Sequence, residues 1–304
     1  MSITPALVSV AMATYNGEKY LKEQLDSLLQ QTWLAIEIVI TDDGSKDSTV
    51  AIIKTYQQNN ASIFLFENEQ NKGITKTFEN SISHCTGAFI ALCDQDDIWE
   101  LDKINTLVNA MGKEDAVYSN SLLVNQFGQS LGKDFKQVMN MQSYYSGAPF
   151  LLANCIPGHT LLVKSDFMKK ILPLPAALFF DNWISFCAAS NNGVKYVDRC
   201  LVKYRQHETN TVGVSKLRKN NRQENRQELF NRKLQELKIF ETAPITSAET
   251  KSILHTMIEL FTPGWSLRRS LFFFSNINTI LVVKNKPYYR KVFYCIKMIF
   301  KANY

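Results

Sequence analysis

LVSVAMATYN (residues 7–16) and IEIVITDDGS (residues 36–45) share one pattern, an apolar run that ends abruptly in polar residues. Apolar runs of this length are typical of buried strands, and the polar ending indicates a loop at the carboxyl end of each strand. The segment between them carries leucines at helical spacing, at positions 21, 25, 28 and 29. Together these segments predict a strand, a helix and a second strand parallel to the first.

The alternation of strand and helix continues along the chain. SIFLFEN (62–68) and AFIALCD (88–94) read as strands, and GITKTFENSISHC (73–85) reads as the helix between them. A helix at 102–111 and a strand at 116–125 follow, and from residue 126 the pattern is less regular, with strands predicted at 159–165 and 194–204 and a helix near 181–190. This order predicts an α/β fold with a Rossmann-like, mostly parallel sheet flanked by helices.

Polar clusters follow three of the predicted strands. They are Thr14-Tyr15-Asn16, Asp42-Asp43 and the segment from Asp94 to Asp97. In sheets of this kind, ligands bind beyond the carboxyl ends of the strands. We therefore expect the three clusters to converge on one crevice.

The third cluster, within ALCDQDDIW (residues 91–99), places three carboxylates in four positions between apolar residues. Carboxylates this close repel one another, so a positive partner is expected. Oxygen ligands in a short acidic turn suit Mg²⁺ or Mn²⁺, which leave their remaining positions to water and substrate phosphates. The alternative is an acidic turn in which Asp96 or Asp97 caps the following helix.

Charge divides the chain into two parts. Residues 215–304 hold 17 Lys and Arg against 6 Asp and Glu, a net charge of +11, and because the whole chain carries +6, residues 1–214 carry −5. Six cysteines without a C-x-x-C pair indicate a reducing cytoplasm. No export signal and no apolar run long enough to span a membrane are evident.

Four segments resemble the family 2 glycosyltransferases: VSVAMATYNGEKYLKEQLDSLLQQT, EIVITDDGSKDST, NKGITKTFENSI and GAFIALCDQDDIW. The resemblance covers about residues 5–213 and implies a glycosyltransferase-A fold and metal-dependent, inverting transfer from sugar nucleotides. FFDNWISFCAASNNG (179–193) and YRQHETNTVG (204–213) are similar to bacterial rhamnosyltransferases of capsule and O-antigen biosynthesis.

The resemblance implies roles for individual residues. Asp96 and His207 would bind Mg²⁺ or Mn²⁺, and Asp181 would be the catalytic base, although the family often has Glu-Asp where this chain has Phe180-Asp181. The implied nucleotide-sugar site comprises Thr14, Tyr15, Asn16, Asp42, Asp43, Gly73, Lys76, Asp94 and Gln95. His159 and Trp183 are candidates for the acceptor pocket, with structural roles as the open alternatives. Arg205, Gln206 and Asn210 around His207 suggest a loop that attracts anions.

We expect a catalytic domain over residues 1–213, with a nucleotide-sugar half at about 1–115 and an acceptor half at about 116–213. Residues 214–304 are expected to form a basic, helical C-terminal region. Trp265 to Tyr304 hold eight Lys and Arg, no acid, and many aromatic residues, which favours contact with an anionic membrane surface. Packing on the catalytic domain or on a second subunit is the alternative. Nucleic acid is disfavoured because the cations are interspersed with Phe and Ile.

The function implied by the resemblance is transfer of a sugar, with rhamnose favoured, from a nucleoside diphosphate to a growing, lipid-linked cell-surface polysaccharide. The sugar donor would be dTDP-rhamnose or a UDP-sugar, and the enzyme would lie at the inner face of the cell membrane. One alternative is a nucleotidyltransferase, but TYNGEKYLKEQ (14–24) lacks the expected glycine-rich phosphate loop. Another is a catalytically idle sugar-nucleotide binding or scaffold protein.

Overall fold

The computed structural model describes residues 5–207, 226–244, 247–262 and 264–300. Nine strands of this part of the chain form one sheet in the order β3-β2-β1-β4-β8-β6-β9-β5, with β7 paired to β6. The strands are β1 (Val8–Thr14), β2 (Ile36–Asp42), β3 (Ile63–Glu67), β4 (Phe89–Cys93), β5 (Ile98–Trp99), β6 (Ala116–Val124), β7 (Ser130–Asp134), β8 (Leu161–Lys164) and β9 (Val194–Arg205).

Among the described residues, six α-helices lie between strands of the sheet, and five more follow the last strand. They are α1 (Leu21–Leu29), α2 (Thr49–Asn59), α3 (Ile74–Ser83), α4 (Lys103–Ala110), α5 (Ser165–Ile171), α6 (Phe180–Ala189), α7 (Arg226–Glu241), α8 (Ala248–Leu260), α9 (Leu267–Ser275), α10 (Ile277–Ile280) and α11 (Tyr288–Lys297).

Strand directions confirm the mostly parallel sheet. β1 pairs in parallel with β2 and β4, β2 with β3, and β6 with β9. The remaining pairs are antiparallel: β8 pairs with both β4 and β6, β5 pairs with β9, and β7 pairs with β6. The carboxyl ends of β1, β2 and β4 therefore lie at one edge.

Two apolar cores cover the two faces of the sheet. Because side chains alternate along a strand, Val10 and Met12 of β1 enter the core that includes Leu25 of α1. Ala11 enters the opposite core, which includes Phe78 of α3. Helices on both faces are the arrangement that the sequence pattern predicted.

Three elements did not stand out in the sequence. β5 has two residues, and its pairing with β9 depends on a partner about 100 residues away. β7 is mostly exposed, so its sequence carries no apolar alternation. α5 follows β8 directly, without a polar loop. Residues 214–225 of the predicted helical C-terminal region, and the predicted boundary at 213/214, lie outside the described residues.

The C-terminal helices pack against the part of the chain between residues 116 and 207. The Asn140 amide donates to the Val283 carbonyl at 2.9 Å, and the Phe240 ring lies 4.3 Å from the Phe186 ring, centre to centre. No helix among the described residues is long and apolar enough to cross a membrane.

Candidate active site

The three polar clusters meet at the carboxyl edge of β1, β2 and β4. The Asp43 amide donates to the Thr14 carbonyl at 2.8 Å, which joins the loops after β2 and β1. Gln95 joins the loops after β1 and β4, because its Oε1 accepts from the Tyr15 amide at 2.9 Å and its Nε2 donates to the Tyr15 carbonyl at 3.1 Å. The predicted convergence is therefore present.

Gly17 permits this close approach of the first and fourth loops. A Cβ atom at position 17 would lie 2.2 Å from Gln95 Oε1, which is far inside van der Waals contact. A side chain there would displace Gln95 from Tyr15. Tyr15 itself is 46% exposed, so its ring is accessible at the rim of the crevice.

Asp42 shapes the loop after β2 from within. Its buried carboxylate accepts from the Thr14 hydroxyl at 2.8 Å, and from the Ser45 amide at 2.8 Å and hydroxyl at 2.6 Å. Asn16, at a φ of 47°, accepts from the Lys46 amide at 2.8 Å through its side chain. Thr14, Asn16 and Asp42 thus fix the backbone of the crevice wall.

Asp43 anchors the segment that leads into α3. Its carboxylate accepts from the amides of Lys72 at 2.8 Å and Gly73 at 2.9 Å and from Asn68 Nδ2 at 2.9 Å. A carboxylate offers about four acceptor positions, so these three contacts leave one position that could accept a further hydrogen bond. Gly73 has a φ of 82°, a conformation that glycine adopts without strain.

Lys76 lies on the first turn of α3, close to Gly73. Its ammonium pairs with Glu79 Oε1 at 2.9 Å. Glu79 also accepts from the Leu174 amide at 2.6 Å, so the pair connects α3 to the acceptor half.

Asp96 and His207, the predicted metal ligands, lie within hydrogen-bonding distance of each other. His207 Nε2 is 2.7 Å from Asp96 Oδ2, and the His207 ring packs 4.9 Å from the Tyr20 ring, centre to centre. Adjacent ligands of an octahedral ion with bonds of about 2.1 Å are about 3.0 Å apart, so this pair of atoms fits Mg²⁺ or Mn²⁺.

Arg205 anchors the acidic turn from behind. It is fully buried, its Nε donates to the Asp96 carbonyl at 2.9 Å, and its Nη2 donates to Glu23 at 2.7 Å. Its own amide donates to Asp97 Oδ1 at 3.0 Å. The expectation that Arg205 belongs to an anion-attracting loop was wrong, because its guanidinium points into the protein. Asn210 lies outside the described residues.

Replacing Arg205 by Met should destabilise the fold and loosen the acidic turn. The change removes the guanidinium donors of three acceptors, among them the Gln126 carbonyl, and each hydrogen bond from a charged group contributes about 1.5 kcal/mol or more. Chemical denaturation should show this loss of unfolding free energy. Lys203→Met, at the exposed Lys203 that pairs with Glu100, is the matched control and should change stability by less than about 1 kcal/mol. Equal losses in both variants would contradict the buried role of Arg205.

A second acidic cluster lies deeper. His159 Nδ1 is 3.5 Å from Asp94 Oδ2 and 3.6 Å from Asp97 Oδ2, and these three side chains could hold a metal ion. Asp97 and His159 are buried, however, and His159 Nε2 lies 3.0 Å from the Ser121 hydroxyl. Asp94, the third member of the cluster, is partly exposed.

Burial also changes the ionisation of this cluster. It raises the pKa of Asp97 well above its usual range, and the charges of Asp96 and Asp94 add to this effect. Burial lowers the pKa of Lys103, whose ammonium donates to the His159 carbonyl at 2.7 Å and lies 3.0 Å from the Trp99 ring centre. The acidic turn is therefore less negative than its three carboxyl groups suggest.

Asp181 lies in the first turn of α6. Burial is the main cause that raises its pKa to about 7; the nearby charge of Asp94 contributes to this rise, and hydrogen bonds from the Asn182 and Gly158 amides and the Asn154 side chain oppose it. A Cβ atom at Gly158 would lie 3.6 Å from Asp181 Cβ, and the next residue, His159, lies 3.5 Å from Asp94, so Asp181 is close to the acidic turn. Asn154 was not identified from the sequence.

Trp183, the other candidate for the acceptor pocket, lies in the core. It is 3% exposed, and its Nε1 donates to the Ile171 carbonyl at 2.9 Å. Its ring stacks near that of Phe240, with centres 6.3 Å apart. These contacts fit the structural alternative for a tryptophan beside Ile184 and Phe186.

The sequence model described as glycosyl transferase family 2 matches residues 9–169, more than half of the chain. The chain belongs to glycosyl transferase family 2. A family relative is the dTDP-rhamnosyl transferase RfbG of Shigella flexneri, 31% identical over 219 residues that cover 67% of this chain and 74% of that protein. This family 2 protein is therefore a glycosyltransferase, as the four sequence segments predicted.

Solved structures share the glycosyltransferase-A fold. S. aureus TarS, in complex with UDP-GlcNAc, aligns with a TM-score of 0.60 at 18% identity, over 83% of this chain and 71% of that one. The mannosyltransferase PcManGT from Pyrobaculum calidifontis, in complex with GDP-Man and Mn²⁺, aligns with a TM-score of 0.56 at 15% identity, over 91% and 76%. The predicted fold class is confirmed.

Proposed function

We propose that this family 2 glycosyltransferase transfers a sugar, with inversion, from a nucleoside diphosphate held at Asp96 and His207 to an acceptor hydroxyl activated by Asp181. The observation that carries the proposal is the 2.7 Å contact of His207 with Asp96 at an acidic turn to which His159 connects Asp181. A metal-ligand pair and a basic carboxylate are the two groups that this reaction needs.

Asp96 and His207 would hold Mg²⁺ or Mn²⁺, with Arg205 and Asp97 fixing the turn behind them. Bound there, the ion would supply Lewis acidity that stabilises negative charge on the departing diphosphate. The mannosyltransferase PcManGT was solved with Mn²⁺ and GDP-Man, which supports a divalent ion in the same fold.

Asp181 would accept the proton of the attacking hydroxyl. A pKa of about 7 makes it a stronger base than an ordinary aspartate while it remains substantially ionised near neutral pH. A single displacement on the face of the sugar opposite the diphosphate inverts the anomeric carbon. No covalent intermediate on the protein is required.

The nucleotide would lie along the edge formed by the first three polar loops. We assign the exposed Tyr15 ring to the base and the remaining acceptor position of Asp43 to a base or ribose donor. Thr14, Asn16, Asp42 and Gln95 shape the backbone of this edge, and Gly73 and Lys76 flank it at α3. Asp94 would reach the ribose or the sugar. His159, behind Asp94, would support that carboxylate rather than contact the acceptor.

The relatives suggest the sugar donor. A dTDP-rhamnosyl transferase among them favours dTDP-rhamnose, and the UDP-GlcNAc complex of TarS keeps UDP-sugars as candidates. We propose a lipid-linked saccharide as the acceptor, for a capsule or O-antigen, with the enzyme peripheral at the inner face of the cell membrane. Residues 1–213 would form the catalytic domain. Homodimer formation through the C-terminal region stays a prediction.

A panel of nucleotide sugars tests the proposal. dTDP-rhamnose, UDP-glucose, UDP-GlcNAc and GDP-mannose are each added with Mn²⁺, Mg²⁺ or chelator, and thermal stabilisation and slow hydrolysis of the sugar donor are measured. We expect one donor to stabilise the protein only with metal, since a ligand at 100 times its Kd contributes about 2.7 kcal/mol. Release of pyrophosphate would indicate a nucleotidyltransferase. Binding without hydrolysis or transfer would indicate an idle binding protein.

A further inference from the structure

The outer faces of α9 and α11 carry two apolar stripes. On α9 the apolar stripe consists of the exposed residues Leu267, Leu271 and Phe274. Along α11 and the turn after it, the stripe consists of the exposed residues Tyr289, Phe293, Ile296 and Phe300. Each set recurs at three- or four-residue intervals and so lies on one face of its helix. We call this pair of stripes the α9/α11 surface.

The two helices are held together in antiparallel orientation by buried polar contacts. The buried Arg269 donates from Nε to the Met298 carbonyl at 2.8 Å, and the Ser270 hydroxyl donates to the Cys295 carbonyl at 2.8 Å. At one end, the exposed Trp265 ring meets the Phe300 ring with centres 5.1 Å apart. The contact joins the two stripes at this end.

Exposed apolar side chains are concentrated here. Of 20 large hydrophobic residues exposed among the described residues, nine lie between Trp265 and Phe300, a segment of about one eighth of the chain. Scattered exposed hydrophobic residues need no explanation, but a contiguous patch marks an interaction site.

The charges that the segment itself carries all have one sign, and Arg268 of α9 also lies 3.7 Å from Glu259 of α8. Residues 264–300 contain seven Lys and Arg and no Asp or Glu. Lys297 Nζ lies 4.4 Å from the centre of the Phe293 ring, so positive charge directly borders the apolar stripe. Arg290, Lys284 and Lys286 are also exposed.

We infer that the α9/α11 surface docks on an anionic lipid bilayer. Its aliphatic and aromatic side chains would enter the headgroup region, where Trp and Tyr are favoured, and its cations would contact lipid phosphates. A symmetric contact between two copies would instead bring the same cations together with no acid from this segment to balance them. The inference is independent of the sugar transferred, because membrane binding requires no substrate.

Cosedimentation with vesicles tests the apolar stripes. The full chain should bind vesicles of phosphatidylcholine mixed with phosphatidylglycerol, and rising salt should weaken this binding. Leu271→Ser combined with Phe293→Ser should weaken it by about tenfold or more. Phe127→Ser is the matched control, since Phe127 is 74% exposed in the turn between β6 and β7. Thermal unfolding should be unchanged in all variants because these side chains are exposed.

Charge variants test the choice of lipid. Arg290→Gln combined with Lys297→Gln should weaken binding to the anionic vesicles, whereas the exposed control Lys133→Gln should not. Equal binding to pure phosphatidylcholine, or no vesicle binding, would overturn the inference. If light scattering gives the mass of a dimer for the wild type and of a monomer for the Leu271/Phe293 variant, the surface is a contact between two copies instead. Metal-dependent stabilisation by the sugar donor should persist in every variant, which separates this test from that of the proposed function.

Discussion

Asp181→Asn is expected to lower transfer by about a thousandfold while leaving the protein folded. General base catalysis contributes 10²- to 10⁴-fold, and an amide of the same shape cannot accept the hydroxyl proton. Turnover with the donor and acceptor identified by the panel measures the loss. Asp166→Asn is the matched control, because Asp166 is an exposed aspartate in the first turn of α5. Activity in Asp181→Asn above a tenth of the wild type would exclude this base.

The raised pKa of Asp181 makes both activity and stability depend on pH. Activity should rise with pH through about 7, because only the ionised carboxylate accepts a proton. The contribution of Asp181 to stability has the opposite sign. Between about pH 4 and 7 the carboxyl ionises in the unfolded chain before it does so in the folded protein, so this contribution falls as pH rises. Asp181→Asn should therefore be at least as stable as the wild type at neutral pH.

Asp96→Asn is expected to abolish the stabilisation that the sugar donor gives in the presence of metal. The neutral amide retains an oxygen near His207 but loses the charge that a divalent ion requires. Transfer should fall by a hundredfold or more, since loss of the metal removes several kcal/mol of stabilisation from the leaving diphosphate. Thermal unfolding with and without Mn²⁺, at a fixed concentration of sugar donor, measures the first effect.

The two aspartate variants are controls for each other. Asp181→Asn should keep the metal-dependent stabilisation by the sugar donor that Asp96→Asn loses, because Asp181 acts on the acceptor. If both variants lose it, Asp181 belongs to the sugar-donor site. If neither loses it, the ion lies elsewhere, and the cluster of Asp94, Asp97 and His159 becomes the candidate to test by the same substitutions.

The fold was predictable because its main signals are local. The apolar run of β1 and the leucines of α1 carry their periods in the sequence, and both elements form where expected. β5 is different, because a two-residue strand exists through its pairing with β9 and has no period of its own. Elements of this kind depend on tertiary contacts that adjacent residues do not encode.

The candidate site was predictable as a set of residues but not as an arrangement. Three carboxylates in four positions look alike in the sequence, yet Asp97 is buried, whereas Asp94 and Asp96 are partly exposed. Arg205 was placed in an anion-attracting loop because it is charged and precedes His207. Arg205 ends a strand whose residues just before it are mostly apolar, and a buried charge needs hydrogen-bond partners inside the protein. Its position was therefore the available signal that its side chain points inward.

The order of strands limits how this enzyme can be recombined with its relatives. β5 comes from the first 115 residues, yet it lies at the far edge of the sheet, beyond β8, β6 and β9 of the later segment. There it pairs with β9. A chimaera joined near residue 115 would take β5 and β9 from different parents, and with them Asp96 and His207. Altered acceptor preference is therefore better sought by grafting loops than by exchanging halves.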